Sequence, residues 1–371
     1  MKIPAFELTR QNERLAEPLA EAYRRVVAGG IFILGEEVKQ FEAEIARYLQ
    51  VKHAIGVANG SDALVLALSA LGIAAGDEVI VPSFTFFATA GAVCRVGAIP
   101  VFADVDPVTC NLDPASVRTK LTAKTKAIIP VHLFGWAAPM PGLMQLAAEY
   151  NIAVIEDVAQ ALGTKVEDGA YAGTVGAIGT FSFFPTKNLG CFGDGGMVTT
   201  QSDGLAEKLR MLRVHGAKRK YHHELLGFNS RLDTLQAAIL RVKLPYLDEW
   251  LERRRAIADR YRRGLADVRG ITLPMAGAGH TYNQFTIVTA KRDELQAYLN
   301  SEGIGSTVYY PLGLHLQPLF EQLGYHYQPG DLPVTERLCR QVLSLPIFPE
   351  LTVPEQDWVI AKIREFSEGN L

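Results

Sequence analysis

Cysteine, long apolar runs and an excess of charge are all scarce in this sequence. The four cysteines among 371 residues form no C-x-x-C pair, so neither a zinc site nor a disulfide framework is expected. The start, MKIPAFELTR, lacks the apolar core of a signal peptide, and no apolar run could span a bilayer. The formal net charge of −3 gives no electrostatic reason to expect a nucleic-acid partner. These features predict a cytoplasmic protein that uses no metal and binds neither membrane nor nucleic acid.

The glycine fingerprints of nucleotide-binding loops are also missing. No G-x-G-x-x-G follows a strand-like run, and no G-x-x-x-x-G-K-[ST] occurs. This argues against a nicotinamide-dependent dehydrogenase. The glycines of GCFGDGG, residues 190–196, indicate instead a tight loop between two strands.

Strand-like and helical patterns alternate through the first half of the chain. Runs such as DEVIVPSF, TKAIIPVHLFG and IAVIEDVAQ are separated by helical segments such as DALVLALSALG. This alternation predicts an α/β domain with a mostly parallel, buried sheet. Residues 1 to about 30 are interpreted as an arm that leads into a helix, and the patterns after about residue 270 indicate a smaller α+β unit. We therefore predict an arm and a large domain over 1–250, and a small C-terminal domain over 251–371.

The segment IAVIEDVAQALG places polar groups at the end of an apolar strand. Asp157 stands at the carboxyl end of a parallel strand, where open α/β sheets bind their ligands. A buried carboxylate there needs a cation, although a capping aspartate is an equally simple interpretation. Gln160 follows three residues later and could reach the same ligand. His132 ends the preceding strand, and a structural histidine bonded to the backbone is the simpler interpretation for it.

A lone lysine lies in the segment SFFPTKNLG. Lys187 stands between an aromatic strand-like run and a glycine cluster. An amine in a desolvated pocket has a lowered pKa and becomes a nucleophile toward carbonyls, whereas a lysine on an exposed loop would be ordinary. Gly60 and Ser61, in VANGSDALVLAL, open an apolar helix whose free N–H groups could bind a phosphate. Ser61 as a plain helix cap is the alternative.

A phosphate site, a strand-end carboxylate and a nucleophilic lysine together meet the requirements of pyridoxal 5′-phosphate. The chain also resembles a known family. The segments NGSDAL, PSFTF, EDVAQALG, SFFPTKNLG, GFNSRLDTLQAAIL and YYPLGLHLQP are similar, in the same order, to those of the DegT/StrS sugar aminotransferases. The resemblance implies a fold-type I pyridoxal phosphate transferase, with a large mostly parallel-sheet domain and a smaller C-terminal α+β domain.

The resemblance also implies roles for individual residues. Lys187 would hold the cofactor as an internal aldimine and later move the substrate proton, and Asp157 would pair with the ring nitrogen. The other implied cofactor contacts are Gln160 near the phenolic oxygen, Phe86 on the ring face, Gly60, Ser61 and Ser182 on the phosphate, and Asn229 on the phosphate from a neighbouring subunit. Tyr310 and His315 would lie near the sugar nucleotide. A helix cap is the alternative interpretation for Asn229.

The resemblance implies a homodimeric aminotransferase. The enzyme would convert the keto group of a nucleotide-linked deoxysugar to an amine, with L-glutamate as amino donor and pyridoxamine phosphate as the intermediate form of the cofactor. One alternative is a sugar dehydratase, a lyase of the same fold, which would have histidine in place of Lys187. The other is a regulatory or binding protein without catalysis, which would not need to keep both Lys187 and Asp157.

Overall fold

The computed structural model describes residues 1–370. Its strands are β1 His53–Val57, β2 Glu78–Pro82, β3 Ile99–Ala103, β4 Thr125–Ile128, β5 Ala153–Asp157, β6 Ile178–Ser182, β7 Gly196–Thr200, β8 Ala217–Arg219, β9 His222–His223, β10 Ile271–Thr272, β11 Phe285–Thr289 and β12 Val342–Leu345. Its α-helices are α1 Thr9–Arg14, α2 Ala16–Gly29, α3 Glu36–Leu49, α4 Gly60–Ala70, α5 Ala88–Arg95, α6 Pro114–Lys120, α7 Met140–Tyr150, α8 Asp203–Leu212, α9 Thr234–Lys243, α10 Leu247–Leu265, α11 Arg292–Ser301, α12 Pro318–Gln322, α13 Pro333–Gln341 and α14 Val353–Asn370. Short 3₁₀ turns lie at Leu133–Gly135, Leu244–Tyr246 and Leu314–Leu316.

Seven strands form the main sheet, in the order β1-β7-β6-β5-β4-β2-β3. Only β7 is antiparallel to its neighbours, and the other six strands point the same way. The carboxyl ends of β1, β5 and β6 therefore meet at one edge of the sheet. The predicted α/β fold with a mostly parallel sheet is confirmed, including the neighbouring pair β6 and β7 on either side of Lys187.

Helices cover both faces of this sheet, as a parallel sheet requires. One apolar cluster joins α3, α7, α9 and the start of α10 to one face. A second cluster joins α4, α5 and α8 to the other face. In α4, burial of residues 63 to 68 on all sides explains why DALVLALSALG is apolar throughout rather than amphipathic.

A smaller antiparallel sheet, β10-β11-β12, packs with α10, α11 and α14. Ile3 joins this cluster and forms a bridge to Ile304. The predicted boundary at residue 250 falls inside α10, just after the 3₁₀ turn that contains Pro245. The division into domains at 250/251 stays a prediction.

The first thirty residues are more helical than expected. Two helices, α1 and α2, precede the anticipated helix α3. Leu19, Ala22 and Val26 of α2 are buried, and the last two pack on Ala238 of α9. Their spacing of three and four residues is that of one helix face, so the pattern needed to predict α2 was present in the sequence.

In residues 1–370, no helix combines the length and the apolar character needed to cross a membrane.

Candidate active site

Asp157 is held in a fixed orientation at the end of β5. The side chain is 5% exposed. Its Oδ2 accepts a hydrogen bond from Thr89 Oγ1 at 2.9 Å, and its Oδ1 accepts one from the Ala159 N–H at 3.1 Å. Burial raises the pKa of this carboxyl, and the two hydrogen bonds oppose the shift. Asp157 is therefore a desolvated acceptor that gains most from a partner with an N–H group and positive charge.

Lys187 lies in the loop that connects β6 to β7. Burial lowers the pKa of its amine from 10.5 to about 8, and attraction to Asp157 partly opposes that shift. The side chain is nevertheless partly exposed, so a ligand can reach it. The structure thus brings the two most prominent residues of the sequence analysis within electrostatic reach of each other, at the same sheet edge.

The beginning of α4 offers a place for an anion. Asn59, rather than Ser61, caps this helix, since the Asn59 side chain accepts the Asp62 N–H at 2.8 Å. The capping alternative for Ser61 is therefore wrong. The N–H groups of Gly60 and Ser61 belong to the first turn of α4, where the helix itself supplies no hydrogen-bond acceptor. The positive end of the helix dipole lies at the same place, and both features favour binding of a phosphate.

Gly60 and Ser182 lie against each other at this helix start. A Cβ atom on Gly60 would stand 2.7 Å from Cβ of Ser182 and 3.2 Å from its Oγ. No side chain fits at position 60 without moving Ser182. The structure therefore places the predicted phosphate residues Gly60, Ser61 and Ser182 together in one cradle between α4 and β6.

Gln160, Tyr310 and Phe86 form a second group. Gln160 donates from Nε2 to the Tyr310 hydroxyl at 3.0 Å, and its Oε1 accepts the Phe134 N–H at 2.8 Å. The centre of the Tyr310 ring lies 6.4 Å from the centre of the Phe86 ring. Phe86 is 59% exposed, an unusual state for a phenylalanine that becomes understandable if its face covers a ligand.

The His315 ring contacts polar side chains of the protein itself. Its ring is buried, with Nδ1 2.6 Å from Ser83 Oγ and Nε2 3.4 Å from a Glu336 carboxylate oxygen. Burial lowers the pKa of the imidazole, against the attraction of Glu336. Both ring nitrogens already have partners, so the predicted contact of His315 with a sugar nucleotide stays a prediction.

Asn229 stands apart from the helix that it was considered to cap. Helix α9 begins at Thr234, with Asp233 at its cap position, so the capping alternative for Asn229 is wrong. Asn229 pairs with Val214 through the backbone and has an exposed side chain. Its neighbour Ser230 accepts the Ala58 N–H at 3.2 Å, two residues before the start of α4.

His132 has the structural role that was the simpler interpretation. Its Nδ1 accepts the Ala138 N–H at 3.0 Å, so Nε2 carries the proton that it donates to Glu156, also at 3.0 Å. Glu156 further accepts the N–H groups of Gly173, Val175 and Gly176. Although burial alone would raise the pKa of Glu156, these bonds lower it. The network fixes the residue next to Asp157.

Two features of the site were missed by reasoning from sequence. Thr89 orients Asp157, and Asn59 caps α4. Asn59 was visible in principle, because an asparagine followed three residues later by an aspartate is a common helix start. Thr89 looked like an ordinary helix residue. No group of three or more histidine, cysteine or acidic side chains in residues 1–370 is arranged to hold a metal ion.

The fold places the chain in the class of fold-type I transferases. Within that class, residues 13–364 match the DegT/DnrJ/EryC1/StrS aminotransferase family, and the chain belongs to this family. The crystal structure of DesV from S. venezuelae in complex with a ketimine intermediate superposes with a TM-score of 0.96, at 44% identity and with 99% of both chains covered.

Two relatives carry different names. One, from Geobacillus stearothermophilus, is called pleiotropic regulatory protein and is 52% identical over 370 residues, 99% of each chain. The other is the dTDP-3-amino-3,4,6-trideoxy-alpha-D-glucose transaminase of Streptomyces venezuelae, which is 44% identical over 369 residues, 99% of this chain and 97% of that protein.

Proposed function

We propose that the protein is a pyridoxal phosphate-dependent aminotransferase that converts the keto group of a nucleotide-linked deoxysugar to an amine, with L-glutamate as donor. The observation that carries this proposal is the desolvated Lys187 amine, with a pKa of about 8, beside the buried Asp157 carboxylate. The cradle of Gly60 and Ser182 at the start of α4 fits the phosphate of the same cofactor.

Each residue has a defined task. When bound, pyridoxal phosphate supplies an aldehyde that condenses with amines and a ring that withdraws electrons from the carbon bearing the amine. Lys187 would hold the cofactor through Nζ and, when free, would accept and return the substrate proton. Asp157 would accept a hydrogen bond from the protonated ring nitrogen. The N–H groups of Gly60 and Ser61 would bind the phosphate, and Phe86 would cover the ring.

The proposal includes a homodimer in which Asn229 reaches the phosphate in the partner's site. The exposed side chain of Asn229 is available for this role. The nucleotide-linked sugar is supported by the transaminase relative described above. The four free cysteines agree with the proposed cytoplasmic location.

A regulatory protein is the second candidate, because the relative at 52% identity carries that name. A protein without catalysis would have no need of a lysine whose charged form is disfavoured by desolvation, close to a buried aspartate. The lyase alternative is disfavoured because the position of the Schiff-base residue is occupied by Lys187.

The test is the visible spectrum of the purified protein with pyridoxal phosphate, before and after L-glutamate, with Lys187→Ala as the matched variant. We expect a visible band that disappears as the cofactor becomes pyridoxamine phosphate, and no such conversion in Lys187→Ala. A band that glutamate does not change would favour another donor or the lyase. Absence of any bound chromophore would refute the proposal of an enzyme and favour the proposal of a regulatory protein.

A further inference from the structure

A second lysine is buried close to the loop that carries Lys187. Lys243, the last residue of α9, is 1% exposed, and among the residues that the structure describes no carboxylate lies within 4 Å of its Nζ. The ammonium donates to the Gly190 carbonyl at 2.9 Å and lies 4.5 Å from the centre of the Phe192 ring. Burying a cation without an ionic partner costs free energy. Holding a loop in place with a buried lysine therefore lowers the stability of the fold.

A neighbouring side chain of the same helix holds the other end of that loop segment. Gln236 lies seven residues, or two turns, before Lys243 and therefore on the same face of α9. Its Oε1 accepts the Phe192 N–H at 2.8 Å, and its Nε2 donates to the Phe192 carbonyl at 3.2 Å. Residues 190–192 are thus fixed to α9 at both ends.

Holding residues 190–192 also closes the loop around Lys187. The Cys191 N–H donates to the Phe183 carbonyl at 2.9 Å. Gly190 approaches Pro185 so closely that a Cβ atom at position 190 would lie 2.3 Å from the Pro185 carbonyl oxygen. The stretch 183–191 therefore starts and ends at adjoining points, and its carboxyl end belongs to the segment that α9 holds.

The inner side of the loop is fixed separately. Asn188, which is 6% exposed, donates from Nδ2 to the Leu162 carbonyl at 3.1 Å and accepts from Asn283 at 3.0 Å. Lys187 therefore lies between Asn188, which is fixed on the inner side, and residues 183–185, which contact the segment that α9 holds. If the anchor on α9 were released, a shift of residues 190–192 would reach Lys187 through these contacts with residues 183–185.

We propose that Lys243 and Gln236 are positioning residues for Lys187: by clamping residues 190–192 to α9 they set the place of the Lys187 amine opposite Asp157. Neither is a catalytic residue, since they act through the loop and hold no substrate or cofactor. The inference rests on the proposed function, because it concerns the approach of Lys187 to a carbonyl carbon.

The experiment follows the capture of pyridoxal phosphate by Lys187 rather than turnover. Adducts formed in the cofactor-free protein are fixed with borohydride at timed intervals, and the modified lysine is identified and quantified by peptide mass spectrometry from pH 6 to 10. The variants are Lys243→Met, which keeps the stem and removes the cation, and Gln236→Leu. Lys165→Met is the matched control, because Lys165 is exposed and its Nζ lies 4.6 Å from the Tyr171 ring, away from this loop.

We expect capture at Lys187 to slow about tenfold in Lys243→Met and severalfold in Gln236→Leu, because a misplaced amine meets the carbonyl in unproductive geometries. The double variant should lose less than the product of the two effects, since both act on one segment. The pH midpoint of capture should move in the variants, whereas Lys165→Met should match the wild type in rate and midpoint.

The outcomes separate this inference from the proposed function. If the wild type captures no pyridoxal phosphate at Lys187, the proposed function fails. If the wild type captures pyridoxal phosphate and the folded variants have the same pH midpoint and a capture rate within twofold of the wild type, the positioning role is overturned. Should Lys243→Met not fold, as judged by urea unfolding, the decision passes to Gln236→Leu, whose side chain is only partly buried.

Discussion

The reactivity of Lys187 should depend on pH in a way that an ordinary lysine does not allow. Desolvation lowers the pKa of the amine from 10.5 to about 8. At pH 7, an amine with a pKa of 8 is uncharged in about one molecule in ten, whereas at 10.5 the fraction is about 0.03%. The nucleophilic form is thus about 300 times more abundant than on a surface lysine.

The measured quantity is the initial rate of borohydride-fixed pyridoxal phosphate at Lys187, in cofactor-free protein, against pH. The rate should rise with pH and level off above a midpoint near 8, while exposed lysines keep gaining tenfold per pH unit. In Asp157→Asn the midpoint should fall below that of the wild type, because the carboxylate that raises the pKa of Lys187 is gone. A wild-type midpoint at or above 10, or an upward shift in Asp157→Asn, would refute the reasoning.

Three further results follow from the same contacts. Lys187→Met should raise the free energy of unfolding of the cofactor-free protein by up to about 3 kcal/mol at pH 7, because the folded wild type binds the lysine proton more weakly than the unfolded chain. In urea unfolding, this gain should be fully present below pH 8 and should shrink toward pH 10.5. A gain that does not change with pH would contradict the prediction. Gly60→Ala should weaken pyridoxal phosphate binding in fluorescence titrations at least about tenfold, or 1.4 kcal/mol, by displacing Ser182, whereas unchanged affinity would remove the phosphate from this cradle. Glu156→Gln should cost about 3 kcal/mol in urea unfolding, since an amide cannot accept from four buried donors. The surface variant Glu149→Gln should have a much smaller effect, and equal effects would show that the buried network is not critical.

Local patterns were sufficient to predict the sheet and to single out the two principal residues of the candidate site. The strand IAVIED is apolar until its last two positions, so it predicts both a buried strand and a polar group at its end. Lys187 stood out because aromatic residues and glycines surround it. Such signals are readable because they arise within one segment of the chain.

Contacts between distant segments could not be predicted in the same way. The closeness of Gly60 and Ser182 depends on β1 and β6 pointing the same way on either side of β7. The side-chain direction of His315 depends on Ser83, which lies in the other half of the chain. In both cases the strand order and the choice of rotamer decide which groups meet, and neither is encoded in a local pattern.

Lys243 shows why a lowered pKa alone does not identify a catalytic lysine. Desolvation lowers the pKa of its amine to about 8, the same value as for Lys187. The Nζ of Lys243, however, is bonded to the Gly190 carbonyl and covered by Phe192, so no carbonyl carbon can approach it. Lys187 has the same tendency to lose its proton, but it is partly exposed and lies within electrostatic reach of the Asp157 carboxylate. Access and a neighbouring counter-group, rather than burial, distinguish the proposed reactive lysine from the proposed positioning lysine.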